Sequence, residues 1–432
     1  MSLGIRVIGM FMKRVMFLVL ILLVAGIQIP VQAQEQLNWL QCLAEVRRSH
    51  PDLRIAAELL RQAEYDRDAA NAGQLPSFSL SMAALQRVST ASVSSSLFSY
   101  SLQGEQLLFD GSQSSSQLSG RGELVKAARN AMQATAADVR FVLRSAFIGL
   151  LKAQELRRLT GEIADRRQKN VRMIRLRYEG GRENLGALRQ AEADLAQAQF
   201  EVAQADRGIV LGQRILASAL GRHDGGKLVV TGSFMPSRQS EAKPDMMQLV
   251  EQNPQYRELL EKKKAAAYDL QAARSSTMPQ LYATTSLGSG SVNRIPVEGL
   301  DWSVGVRLSL PIYAGGLYEA REEKSRSALN QLDAEVRRGY LRIAETLQQS
   351  WNGYADASAQ VGVSEQFLVA ATERARIGTA QYSNGLLSFN DWVMLEDNLV
   401  AARKGLLNAG SGLLMAEAQW ILSKGEGFDV QK

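Results

Sequence analysis

Residues 302–316, WSVGVRLSLPIYAGG, decide the fold. Trp302, Val304, Val306, Leu308 and Leu310 alternate with Ser303, Gly305, Arg307 and Ser309, a period of two that makes a strand with one apolar and one wet face. At Gly315-Gly316 that period ends. Residues 316–382 then run without a proline and are dominated by Ala, Leu, Arg, Glu and Gln, the composition of a helix. At 1.5 Å per residue such a helix is roughly 100 Å long, whereas a compact globule of this chain's size is about 55 Å across. An amphipathic strand therefore hands over to a rod that no globule holds.

The same order occurs earlier in the chain. Phe78, Leu80 and Met82 alternate with serines, as do Phe98, Tyr100 and Leu102, and a second proline-free run covers residues 112–178. A shift of 203 places Pro51, Arg54, Glu58, Ala63, Tyr65, Asp66, Ala69, Ala70 and Pro76 on identical residues from Pro254 to Pro279. Chance gives only about one or two identities in such a window. A shift of 204 places Phe109-Asp110-Gly111 on Tyr313-Ala314-Gly315, and Tyr178-Glu179-Gly180-Gly181 on Tyr382-Ser383-Asn384-Gly385. It also sets Glu192, Leu195 and Ala198 on Glu396, Leu399 and Ala402.

The chain thus reads as a duplicated helix-strand-strand-helix-helix unit, mainly α with β. The first copy covers residues 34–222, with strands at about 77–109 and a long helical hairpin at about 112–220. The second covers 245–424, with strands at about 280–311 and a hairpin at about 316–423. Residues 223–244 link them and 425–432 form a tail. Each copy opens on a helix, at about 37–73 and 245–276, that stops near Pro76 or Pro279. Gly181 and Gly385 follow the long helices and supply the left-handed residue that lets a second helix double back. The connections at 88–96 and 289–299 are polar, as exposed loops are.

Composition narrows the class. The chain has 432 residues, 46% hydrophobic and 22% charged, with a mean hydropathy of -0.14, which excludes disorder and a series of transmembrane helices. Lys13 and Arg14, an apolar run from Val15 to Ile29, and Val31-Gln32-Ala33 form a secretory signal at 1–33. Its removal takes away Arg6, Lys13 and Arg14, leaving 47 basic against 44 acidic side chains, a net +3. That near-neutral balance gives no reason to expect nucleic acid. Cys42 is the single cysteine, so no intramolecular disulfide forms. With Gln41 before it, Cys42 reads as a small buried thiol on the first helix, not a lipidated terminus. His50 and His223 read as turn residues, too few for a metal site. No phosphate-binding glycine loop, nucleophile elbow or ligand cluster is present, so the expectation is no enzymatic activity, no metal and no cofactor.

Four amphipathic strands leave open edges if the chain stands alone. Two chains give eight strands, whose interior side chains nearly fill the barrel; three give twelve and room for water.

With these residues in hand, the chain resembles the TolC family of outer-membrane efflux proteins over essentially its whole mature length. The resemblance rests on the duplicated order, on His50-Pro51 and Asn253-Pro254, on the turns Leu108 to Gly111 and Pro311 to Gly316, and on the tips Tyr178 to Gly181 and Tyr382 to Gly385. It implies a homotrimer, with a twelve-stranded barrel in outer-membrane lipid continuous with a long α-helical barrel across the periplasm. It also implies an exit duct for a tripartite efflux pump or a type I secretion system. The tips, Tyr178, Gly181, Arg182, Tyr382, Gly385, Leu386 and Leu387, would dock a periplasmic adaptor (membrane fusion protein) and an inner-membrane transporter of RND, ABC or MFS type. The competing class is a periplasmic coiled-coil adaptor or spacer without a membrane barrel.

Family members narrow the tunnel with acidic residues just after the second tip glycine, and Asp391 stands at that spacing. Three copies would make a carboxylate ring that attracts cations. Ser388 with Asp391 is equally a helix-start capping pair. Met394, Leu387 and Ala187 depart from the family's charged pattern. Glu105 and Arg307 point into the barrel lumen by alternation, either tuning ion flow or simply hydrated. Ten cations against four acids between Lys152 and Arg182 make either a basic collar or a solvated helix face.

Overall fold

The structure, a computed structural model, describes residues 35–89, 92–224, 226–232, 243–292 and 299–428. The signal read at 1–33 lies outside these residues. So do parts of the connections at 88–96 and 289–299, of the 223–244 segment and of the tail.

The first half runs β1 (Glu35–Leu37), α1 (Trp39–Ser49), α2 (Pro51–Ala72), β2 (Ser77–Ser89), β3 (Ser92–Phe109), α3 (Gln113–Glu179) and α4 (Leu185–Ala219). The second runs β4 (Leu228–Val230), α5 (Met246–Gln252), α6 (Pro254–Ser275), β5 (Gln280–Val292), β6 (Asp301–Ser309), α7 (Leu317–Ser383) and α8 (Phe389–Ser423). The copies match in length: α3 and α7 have 67 residues each, α4 and α8 have 35 each.

Two expectations are corrected. The opening helix of each copy is not continuous but breaks at Pro51 and Pro254. A proline forces the residue before it out of the helical region, and its ring then suits the first helical position. His50 and Asn253 are accordingly extended, with ψ of 129° and 127°. Their side chains cap the new helices, His50 Nδ1 accepting from the Asp52 amide at 3.2 Å and Asn253 Oδ1 from that of Gln255 at 2.9 Å. The second correction is the parallel pair β1–β4, whose three-residue strands are too short to show a period.

β1, β4 and α1 cover the middle of α3 and the end of α4, burying Leu37, Val46, Leu143, Phe147, Leu216 and Leu228. Cys42 sits there with no exposure, and burial pushes its thiol up to about 11, which keeps it unreactive.

Packing puts the main elements in three open rows. The antiparallel sheet has the order β2–β3–β5–β6. Beside it the helices lie α2–α3–α6–α7, and towards the hairpin tips α4–α3–α8–α7. Every row begins with an element of the first copy and ends with one of the second. Across the sheet Leu80, Leu102, Leu287 and Trp302 are in register on one face, and Phe78, Leu80, Met82, Trp302, Val304, Val306 and Leu308 are more than 60% exposed. So large a bare apolar face marks an interaction surface. No helix among the described residues is long and apolar enough to cross a membrane.

Candidate functional site

The tips are built twice by the same backbone device. At the first, the Gly181 amide donates to Tyr178 O (3.0 Å) and the Arg182 amide to Arg177 O (2.8 Å). At the second, Gly385 donates to Tyr382 O (3.0 Å) and Leu386 to Gln381 O (2.9 Å). This double bond closes a long helix only if the residue after its cap is left-handed, and Gly181 and Gly385 have φ of +67° and +74°. Arg182 and Leu386 project into solvent, Leu386 at 77% exposure, while Leu387 packs half-buried against the tip cluster.

The two tip tyrosines then part company. Tyr178 is 39% exposed, whereas Tyr382 is 1% exposed. Tyr382 stacks on Trp392 with ring centroids 4.6 Å apart and planes 7° from parallel, within a cluster that includes Val171, Ile174 and Leu188. Its hydroxyl donates to Glu183 Oε2 at 2.6 Å, and the Arg177 guanidinium lies 4.6 Å from the ring centroid. Arg177 also donates to the last carbonyls of α7, Tyr382 O (3.0 Å) and Ser383 O (3.2 Å), which have no partner within the helix. Burial, then the Glu183 carboxylate, pushes the Tyr382 phenol well above its ordinary value, so it stays a donor.

Further from the tip, ion pairs bolt α3 to α8. Arg166 grips Glu396 with two bonds, Nε to Oε2 at 2.5 Å and Nη2 to Oε1 at 2.7 Å. Glu396 is 2% exposed; burial pushes its carboxyl up, but the Arg166 bonds outweigh this and leave it below the ordinary carboxylate value. Arg167 pairs with Asp397 across the same two helices, and Lys404 ties α8 to Glu201 of α4 at 2.7 Å. Sequence reading singled out none of these bolts. The one usable signal was Glu396 falling on Glu192 in the duplication, and that alignment gives a position without a role.

Asp391 lies exposed in the first turn of α8. The Ser388 hydroxyl accepts the Asp391 amide at 3.2 Å and donates to its carboxylate at 2.7 Å. The capping geometry is thus present, and one carboxylate oxygen remains for water or a cation. Its counterpart Ala187 is buried.

At the other end, the face opposite the apolar one is lined with Ser79, Ser81, Gln103, Ser101, Ser286 and Ser303. Ser81 and Ser101 share a hydroxyl bond of 2.8 Å, and Ser286 and Ser303 one of 2.7 Å. Glu105 and Arg307 stand on this face and meet: Arg307 Nη2 donates to Glu105 Oε1 at 2.7 Å, passing 5.2 Å from the centre of the Tyr282 ring. Among the described residues no three His, Cys, Asp or Glu side chains gather as metal ligands.

Comparison with known proteins places this arrangement in a family. The family model for outer membrane efflux proteins matches residues 42–222 and again 246–423. The outer membrane efflux protein BepC of Brucella suis biovar 1 (strain 1330) is 22% identical over 340 residues, covering 73% of this chain and 71% of BepC. The crystal structure of CusC superposes with a TM-score of 0.82 at 16% identity, over 89% of this chain and 91% of CusC. That of the outer membrane protein VceC of Vibrio cholerae gives 0.77 at 17% identity, over 90% and 96%. With the family model covering most of its length, the chain belongs to the outer membrane efflux protein family.

Proposed function

We propose that three copies of this chain close into an exit duct that conducts cargo passively across the periplasm and outer membrane. The family is one of outer-membrane efflux channels, not of enzymes. The energy for transport then comes from an inner-membrane transporter of RND, ABC or MFS type, joined to the hairpin tips by a periplasmic adaptor. One observation carries this reading. The sheet and both helix rows are open, and all three end on first-copy elements at one side and second-copy elements at the other. Such an end-to-end contact is heterologous and generates a ring when the rotation closes. Closure pairs β6 with β2 of the next copy, removes the exposed strand edges, and turns the apolar face to lipid.

Within that ring, Asp391 supplies one carboxylate per copy to a constriction behind the tips, and the Glu105–Arg307 pairs form a neutral belt in the lumen. A spacer without a barrel does not account for the serine-lined sheet face or its bare apolar back.

The test is loss of the chain in its host with cell fractionation. The expected result is sedimentation with outer membranes and raised susceptibility to dyes, detergents or metals. Release by osmotic shock would contradict the duct. In planar bilayers, multivalent cations are expected to block conductance and Asp391→Asn to relieve the block; block that persists unchanged removes Asp391 from the constriction.

A further inference from the structure

The seam between α3 and α8 has a counterpart that one chain cannot complete. A shift of 204 residues carries α3 onto α7 and α4 onto α8. It therefore carries the α3–α8 seam onto a contact between α7 and the α4 of another copy. A groove of about 530 Å³ between α7 and α8 includes Phe367, Ala370, Ala371, Arg374, Ala402 and Gly405 in its walls. Their counterparts are Ile163, Arg166, Arg167, Asn170, Ala198 and Glu201. Each of those six touches or clusters with α8 inside the chain. Ile163 and Ala198 share an apolar cluster with Leu407, Arg166 and Asn170 hold Glu396, Arg167 holds Asp397, and Glu201 holds Lys404.

The helix that would fill the empty groove shows the complementary pattern. Asp397, Val400, Lys404 and Leu407 of α8 correspond to Ala193, Ala196, Phe200 and Ala203 of α4. The spacings of three, four and three put these on one helix face. All four are exposed in the lone chain, Phe200 at 54%. The chemistry has been exchanged position by position. Where Glu201 meets Lys404 inside the chain, Gly405 would face Phe200; a Cβ built at Gly405 meets nothing within 4 Å. Where Asn170 approaches Glu396, Arg374 would face Glu192, and among the described residues no acid is bound to Arg374.

We propose that the α7/α8 groove seats α4 of a second copy of this chain, with Phe200 filling the space over Gly405 and Glu192 facing Arg374. This rests on the ring closure proposed above and adds its register. The seam inside each chain is fastened by ion pairs; the seam between chains is fastened chiefly by an aromatic knob in a glycine hole.

The experiment uses the full-length protein in detergent, with Phe200→Cys and Gly405→Cys combined and treated with a short bismaleimide. Single variants, and a pair of Leu211→Cys with Gly405→Cys, serve as controls. Leu211 is exposed and eleven residues from Phe200, about 16 Å along the same helix face. Covalent dimers and trimers are expected from the first pair alone, in particles whose mass by light scattering is that of three copies. A trimeric particle with no link from that pair, or with equal linking from the Leu211 pair, would overturn the register while leaving the ring intact. An adaptor segment occupying the groove gives that unlinked outcome. A particle that is not trimeric would remove the ring reading and this inference with it. As a second readout, Phe200→Ala is expected to weaken association of copies about tenfold and Phe200→Leu to restore most of it. Unchanged association in Phe200→Ala would also overturn the proposal.

Discussion

The two hairpins share a backbone and differ in what they touch. Tyr178 and Glu192 in the first stand in or near solvent; Tyr382 and Glu396 in the second are buried against α3. Glu192 is held by Arg175 and Arg189 of its own hairpin, Glu396 by Arg166 of the other. For the glutamates, which lie on α4 and α8, the difference follows from place in the row. α8 lies between α3 and α7 and is covered on both flanks, while α4 is an end helix with one flank bare. A duplicated chain keeps what the backbone turn requires in both copies and changes the side chains wherever the neighbours differ.

The two hairpins differ most in stability at the glutamates. Glu396→Ala leaves Arg166 without its buried partner and is expected to cost about 3 kcal/mol of stability around the tip, the low end for a broken buried pair because the orphaned Arg166 still reaches solvent. Glu192→Ala, which removes only part-exposed ion pairs, should cost far less, and losses equal to those of Glu396→Ala would refute the assigned asymmetry. At the tyrosines, Tyr382→Ala should cost about 3 kcal/mol by emptying the stack on Trp392, and Tyr178→Ala less than about 0.5 kcal/mol, read by thermal unfolding.

Acid sharpens the same contrast. The Glu396 carboxyl titrates below its ordinary value of 4.5 in the folded chain, so its contribution is complete at neutral pH and is lost as pH falls through the lowered value. Amide protection at the α3–α8 seam should therefore hold from neutral pH down to the ordinary carboxylate value and fail only below it. Failure near pH 6 would point to another group. The smallest effect is a predicted equality: Gly181→Ala and Gly385→Ala should each cost about 1 kcal/mol, because both positions need a left-handed residue and neither is crowded.

Much of this was legible in the sequence where a period or a required backbone conformation writes itself into residue types. The alternation at 302–310, the proline-free runs and the paired tip glycines placed the strands, the rods and their reversals within a residue or two. Pro51 and Pro254 were visible, yet an Ala- and Arg-rich window on both sides hid the break they make. The site was less legible. Arg307 and Glu105 were placed on one face by alternation, but their ion pair depends on a register between distant strands. Glu183, Arg177 and the Arg166–Glu396 bolt depend on which helix lies beside α3, a fact of packing that no local pattern carries.

In the proposed duct one chain leaves its sheet and both helix rows unfinished, and identical copies finish them. Multi-angle light scattering of the purified full-length protein, with the detergent's share of the mass subtracted, tests this most directly. Three copies per particle is the predicted result. A monodisperse particle of one copy, with the β2 and β6 edges already protected from amide exchange, would contradict it.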